Sequence, residues 1–149
     1  MNWKMKSALV CYFLTILMGL FFAAIYLFRP EFMPYHAVAI GVKWTELRPE
    51  FQTLFLALLR VSGGGWLATA VSMGILVVIP FRRNEYWSRW AIPLIGLSAA
   101  IPTLYATLLV KARTPASVPW FGAAAAILLL IAGFVLSILA KKAATGPRL

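Results

Sequence analysis

The chain has 149 residues, 62% of them hydrophobic and 12% charged, with 14 Lys and Arg against 4 Asp and Glu. A soluble domain carries about 25% charged and 45–50% apolar residues, so this composition is that of a membrane protein, and the length limits it to one domain. A single cysteine, Cys11, excludes an internal disulfide, and one histidine with one cysteine excludes a closed metal site of three or four ligands.

Four stretches carry the roughly 20 apolar residues that a spanning helix needs, at about 7–28, 53–79, 91–110 and 120–140. The first follows Lys4 and Lys6, as a secretory signal would. Its apolar run exceeds the usual signal core of about 7–15 residues, so it reads as an uncleaved helix. The connection over 29–48 is the richest polar segment, with Glu31, Met33, Tyr35, His36 and Trp44, yet its middle from His36 to Val42 is mostly apolar. It reads as an outer interfacial segment, either a lid over the bundle mouth or a contact surface for a larger partner. His36 and Trp44 are its candidate contact residues. A metal or haem supplied elsewhere is one reading of His36; a plain polar contact is the other.

Thr45, Glu46, Leu47 and Arg48 followed by Pro49 have helix-start chemistry, and Pro80 is expected to close the second span. Inside that span stands Arg60, about seven residues or roughly 10 Å below its outer end. A cation costs about 2.5–3.5 kcal/mol at a helix centre on insertion scales. Either the side chain snorkels to the headgroups, or a neighbouring helix or an anionic lipid holds it. Arg60, Gly64, Ala68 and Ser72 recur every four residues on one face, a groove for helix packing or a ligand. In the third span Gly96, Ala100, Thr103 and Thr107 make a comparable face, with Tyr105 at the depth of Arg60. A contact of Arg60 with Tyr105 or Thr103 is therefore expected. Gly63, Gly64 and Gly65 weaken the second helix, and Pro102 leaves the Ser98 carbonyl without its usual donor. Paired breaks in adjacent helices can mark a transport site. In the fourth span Gly133 and Ser137 are the small residues available for packing.

The turn from Phe81 to Trp90 sets Arg82, Arg83 and Arg89 beside Tyr86, Trp87 and Trp90. Basic and aromatic residues so mixed suit an inner-leaflet lipid contact, and nucleic-acid binding is rejected. Trp3, Trp44, Trp87, Trp90 and Trp120 fall at expected span ends, and Trp66 alone lies deep. Basic flanks give the orientation. Lys4, Lys6, Arg82, Arg83, Arg89, Lys141, Lys142 and Arg148 share one side, and Arg29, Lys43, Arg48, Lys111 and Arg113 the other. The excess places both termini inside.

The expected fold is all-α: four transmembrane helices in an up-and-down bundle, both termini cytoplasmic, in a bacterial inner membrane. The Arg and small residues of the second span, the basic turn and the Pro-containing third span resemble small uncharacterised four-helix membrane proteins of bacteria, over Leu54 to Arg113. That resemblance implies no activity and transfers no site. No acid lies within a span, which argues against proton-coupled carboxylate export, and no phosphate loop or nucleophile set is present. The expected function is non-enzymatic and without a cofactor: an accessory or assembly subunit of a larger inner-membrane complex. Its partners would be lipids and other membrane subunits or further copies of itself. The alternative is a small transporter or binder of a lipophilic or anionic molecule, with Arg60 as the contact.

Overall fold

The computed structural model describes residues 3–142, without the side chains of the last two. Arg148 and the side chains of Lys141 and Lys142, assigned above to the inner charges, lie outside the described residues. The fold is all-helical among those residues: α1 Trp3–Phe28, α2 Pro34–Ile40, a 3-10 turn Trp44–Glu46, α3 Pro49–Leu76 running into a π turn Val77–Phe81, α4 Ser88–Arg113 and α5 Trp120–Lys142. Four helical runs, Trp3–Phe28, Pro49–Phe81, Ser88–Arg113 and Trp120–Ala140, are long and apolar enough to cross a membrane, and they contain the four expected stretches. Pro80 does not end the second run. It sits inside the π turn, where the wider helical turn accommodates a residue that has no N–H to donate.

The long helices pack in sequence order around a ring, α3 on α1, α1 on α5, α5 on α4 and α4 on α3. Neighbours run antiparallel. Tyr26 near the end of α1 meets Arg60 early in α3, and Tyr12 early in α1 meets Phe81 at the end of the α3 run. Arg89 at the start of α4 meets Ser137 late in α5. One end of the bundle, where α2 folds over, is the capped end; the other, with Arg82 and Arg83, is the basic end. The large apolar side chains on the outward helix faces, such as Phe21, Val61, Leu94 and Leu128, are exposed.

Three seams close by setting a large side chain on a glycine. Between α1 and α5 the Tyr12 ring lies where Gly133 would carry a Cβ, 2.7 Å from that position. Between α4 and α5 Leu130 sits equally close to Gly96, and between α1 and α3 the Leu27 side chain comes within 2.9 Å of the position at Gly63. Such close backbone approach gives the helices extensive dispersion contact along each seam. The fourth seam, α3 to α4, is different. Met73 Sδ approaches the Gly96 position at 3.2 Å, but further toward the capped end a Cβ on Gly65 would meet nothing within 4 Å. The seam closes at Met73 and opens beyond it.

Candidate functional site

The opening is built by the small and polar face of α4. Gly96, Ala100, Thr103 and Thr107 all line an enclosed chamber of about 50 Å³ at the bundle centre, against Gly19 and Phe22 of α1, Trp66 and Ala70 of α3, and Ala123 and Ala126 of α5. A second cleft of about 330 Å³ runs beneath α2, lined by Tyr26, Tyr35, His36, Ser62, Trp66 and Thr107 among others. A third, about 320 Å³, faces sideways between Ser62, Gly65 and Thr69 of α3 and Ser98, Ala99 and Pro102 of α4. Trp66 and Thr103 line all three, so the three spaces adjoin at these two side chains and together make up the hollow between the helices. Its two outer lobes fall within the roughly 300–1,000 Å³ typical of small-molecule sites.

Local chemistry explains the roof. Phe32 is 4% exposed; its ring meets Trp44 at 5.0 Å, Phe55 at 5.5 Å and His36 at 6.0 Å, all edge-on. Edge-to-face pairs of this kind are favoured by the ring quadrupoles, and they fasten the connection to α3. Gln52 Nε2 donates to the carbonyls of Trp44 at 2.9 Å and Leu47 at 3.2 Å. Pro34 opens α2 in its first turn. The Met33 N–H donates to His36 Nδ1 at 3.3 Å, so the imidazole satisfies a free N–H at the start of its own helix. The Tyr26 and Tyr35 hydroxyls pair at 3.0 Å and tie α2 to α1. Burial, then the charge of Arg29, lowers the His36 pKa below the usual imidazole value. Burial, then the Tyr26 hydroxyl, pushes the Tyr35 phenol well above its ordinary range. Both groups are neutral at pH 7 as a result.

The hydroxyls lining the hollow mostly serve their own helices. Thr103 donates to the Ala99 carbonyl at 2.8 Å, Thr107 to Thr103, Thr69 to Gly65, Ser62 to Leu58 and Ser98 to Ile95. They offer lone pairs inward but no O–H. Pro102 brings no N–H for the Ser98 carbonyl.

Several expected site residues stand elsewhere. Arg60 does not bond Tyr105 or Thr103: its Nη1 donates to the Tyr26 carbonyl at 2.9 Å, and Tyr105 is 69% exposed on the outside of α4. The reason is the end of α1. Tyr26 lies within three residues of Phe28, so its carbonyl is one of the last four that the helix leaves without a partner. A cation there also complements the helix dipole. The packed face of α3 runs through Leu59, Gly63, Ala70, Met73 and Val77 and takes in none of Arg60, Gly64, Ala68 and Ser72. Ala68 is exposed, and a Cβ on Gly64 would touch nothing.

Arg89 is the other displaced residue. Arg82 and Arg83 are exposed, whereas Arg89 is 7% exposed and donates from Nη1 to the Ser137 carbonyl at 2.7 Å. It is an interior strut from α4 to α5, not a headgroup contact. Its position four residues before Pro93 and seven before Gly96, both buried, was the sequence signal that it faces inward. Trp66, singled out only for its depth, proves to be the wall common to all parts of the hollow. Comparison of the chain with family models, with curated proteins and with solved structures finds no match to any of them.

Proposed function

We propose that this is a multi-pass protein of a bacterial inner membrane, both termini cytoplasmic, that binds a lipophilic molecule entering from the bilayer between α3 and α4. One observation carries the reading: Trp66 and Thr103 line the chamber, the roofed cleft and the sideways cleft alike, so the three spaces meet at two shared side chains between the helix flank and the bundle centre. The lining contains no carboxylate and no Lys or Arg, which suits a neutral occupant, since an unpaired charge in such a site is costly. Arg60, engaged by Tyr26, is not the contact in this reading. The chain binds or hands over its molecule and performs no reaction on it.

Native mass spectrometry after gentle detergent extraction tests this. Wild-type protein is expected to carry a small lipophilic molecule that Thr103→Phe, which fills the junction, releases without lowering the thermal midpoint. Equal occupancy of the two proteins, or none in either, would count against the reading.

A second reading has its own support. Gly64 and Ala68 lie on an outward face that none of the described residues covers, where another subunit's helix fits by small-residue packing. In that reading the protein is an accessory subunit, and the same spectra would show a defined protein partner lost in Gly64→Leu.

A further inference from the structure

The hydrogen-bonding balance of the roofed cleft identifies the kind of head group it takes, an inference that rests on the binding function proposed above. Tyr26, Tyr35, His36 and Trp66 all line the same 330 Å³ lobe. The two tyrosine hydroxyls bond to each other. Whichever donates, the other keeps its own O–H, so the pair presents one donor. His36 accepts the Met33 N–H at Nδ1; a neutral imidazole in that role carries its proton on Nε2, a second donor. Trp66 lines the lobe, and its Nε1–H, which makes no hydrogen bond among the described residues, is the third. Against these, the serine and threonine hydrogens are already committed to carbonyls of their own helices.

Three unused donors and no anion describe a site for a neutral molecule rich in acceptors. A carboxylate-headed lipid requires a free cation at the mouth. Arg29 is paired with Glu31 at 3.7 Å, and neither Arg29 nor Arg60 lines the lobe. A hydroxyl-headed lipid gathers its acceptor lone pairs on one oxygen, whereas a ring dicarbonyl spreads them over two. Trp66 gives the lobe one flat aromatic wall, a surface for a flat ring; the Phe22 ring, which lines the central chamber instead, lies 6.1 Å from it with the planes 37° from parallel. We propose that the cleft takes a quinone-class lipid, a planar ring bearing two carbonyl acceptors on an apolar tail, its carbonyls bonded by the tyrosine pair and by Trp66, its tail leaving between α3 and α4.

The test uses the full chain in phosphatidylcholine nanodiscs, with decyl-benzoquinone as the probe, decylbenzene as its carbonyl-free counterpart, and saturable binding of one probe per chain as the readout. Decyl-benzoquinone is expected to bind at least about ten-fold more tightly than decylbenzene, since each good hydrogen bond contributes about a factor of two to ten. Tyr26→Phe and Tyr35→Phe each leave one phenolic O–H, so each alone is expected to bind within about two-fold of wild type, while the double variant weakens three- to ten-fold. A structural role for the pair would give the opposite pattern, with each single variant as damaging as the double. Equal affinity for the two probes, or a double variant that binds like wild type, overturns the head-group assignment and leaves the lipophilic cleft standing. Binding of neither probe overturns both. The comparison of probes on wild-type protein stands even if the double variant does not fold.

Discussion

Three consecutive glycines in α3 have three separate fates. A Cβ at Gly63 would lie 3.0 Å from the Leu27 backbone nitrogen, so α1 itself must move; at Gly64 and Gly65 it would meet nothing. Gly63→Ala is therefore expected to destabilise the bundle by about 1–3 kcal/mol, as overpacking does. Gly64→Ala should leave it unchanged or stabilise it by up to about 1 kcal/mol through helix propensity. Thermal unfolding in detergent separates the two, and equal midpoints would refute the α1–α3 contact. Arg89 gives a second contrast at this scale. Truncating it removes a buried charge-assisted hydrogen bond to Ser137, so Arg89→Ala should cost about 1.5–3 kcal/mol, whereas Arg82→Ala and Arg83→Ala, at exposed positions, should fall within about 0.5 kcal/mol of wild type. The sequence showed that small residues crowd α3 but not which face they key. A run of three glycines fits any of three phases, and only the Leu27 and Tyr26 side chains of a distant segment select Gly63. Arg89 departs from the inner-leaflet expectation for a related reason. The aromatic residues around it, Tyr86, Trp87 and Trp90, are exposed as interfacial residues are, and they masked a stripe that continues inward.

At the scale of the element, α2 behaves as a roof fastened near its N-terminal end by both the Phe32 cluster and the tyrosine pair. The His36 imidazole serves this roof only when neutral, because protonation removes the Nδ1 acceptor from Met33 N–H and sets a second cation beside Arg29. Phe32 and Tyr35 flank the ring edge-on and bring no counter-charge. The folded pKa is lowered from 6.5, so the released state binds more protons. The capped conformation is accordingly at full stability above that value and loses it as pH falls through 6.5 and the lowered folded pKa. Hydrogen exchange of the α2 amides should accelerate on acidification in wild type. His36→Gln, which keeps an acceptor at the third helical position but does not titrate, should show little change. Equal acceleration in both would remove His36 from the role. That the connection would cover one end was legible from its apolar middle; its helix was not, since the seven residues of α2 are too few to hold helical structure without the packing supplied by Phe32 and Tyr26.

For the whole molecule, the all-helical architecture follows from composition and apolar run length, which together determine four helices long enough to cross a bilayer. The regular spacing of Gly96, Ala100, Thr103 and Thr107 likewise made one wall of the hollow readable. What spacing does not convey is that three seams close on glycines while the fourth opens past Met73, because that depends on which large side chain from another helix fills each gap. The open α3–α4 seam is the feature on which the binding function depends. Its most direct test is fluorescence of Trp66 alone, with the other five tryptophans replaced by phenylalanine, in bilayers whose phospholipid tails carry bromine. An open seam predicts that brominated tails quench Trp66 strongly and that Thr103→Phe, which fills the hollow, relieves much of the quenching. Emission from Trp66 that brominated lipid leaves unchanged would mean that α3 and α4 are sealed to the bilayer and would contradict the account.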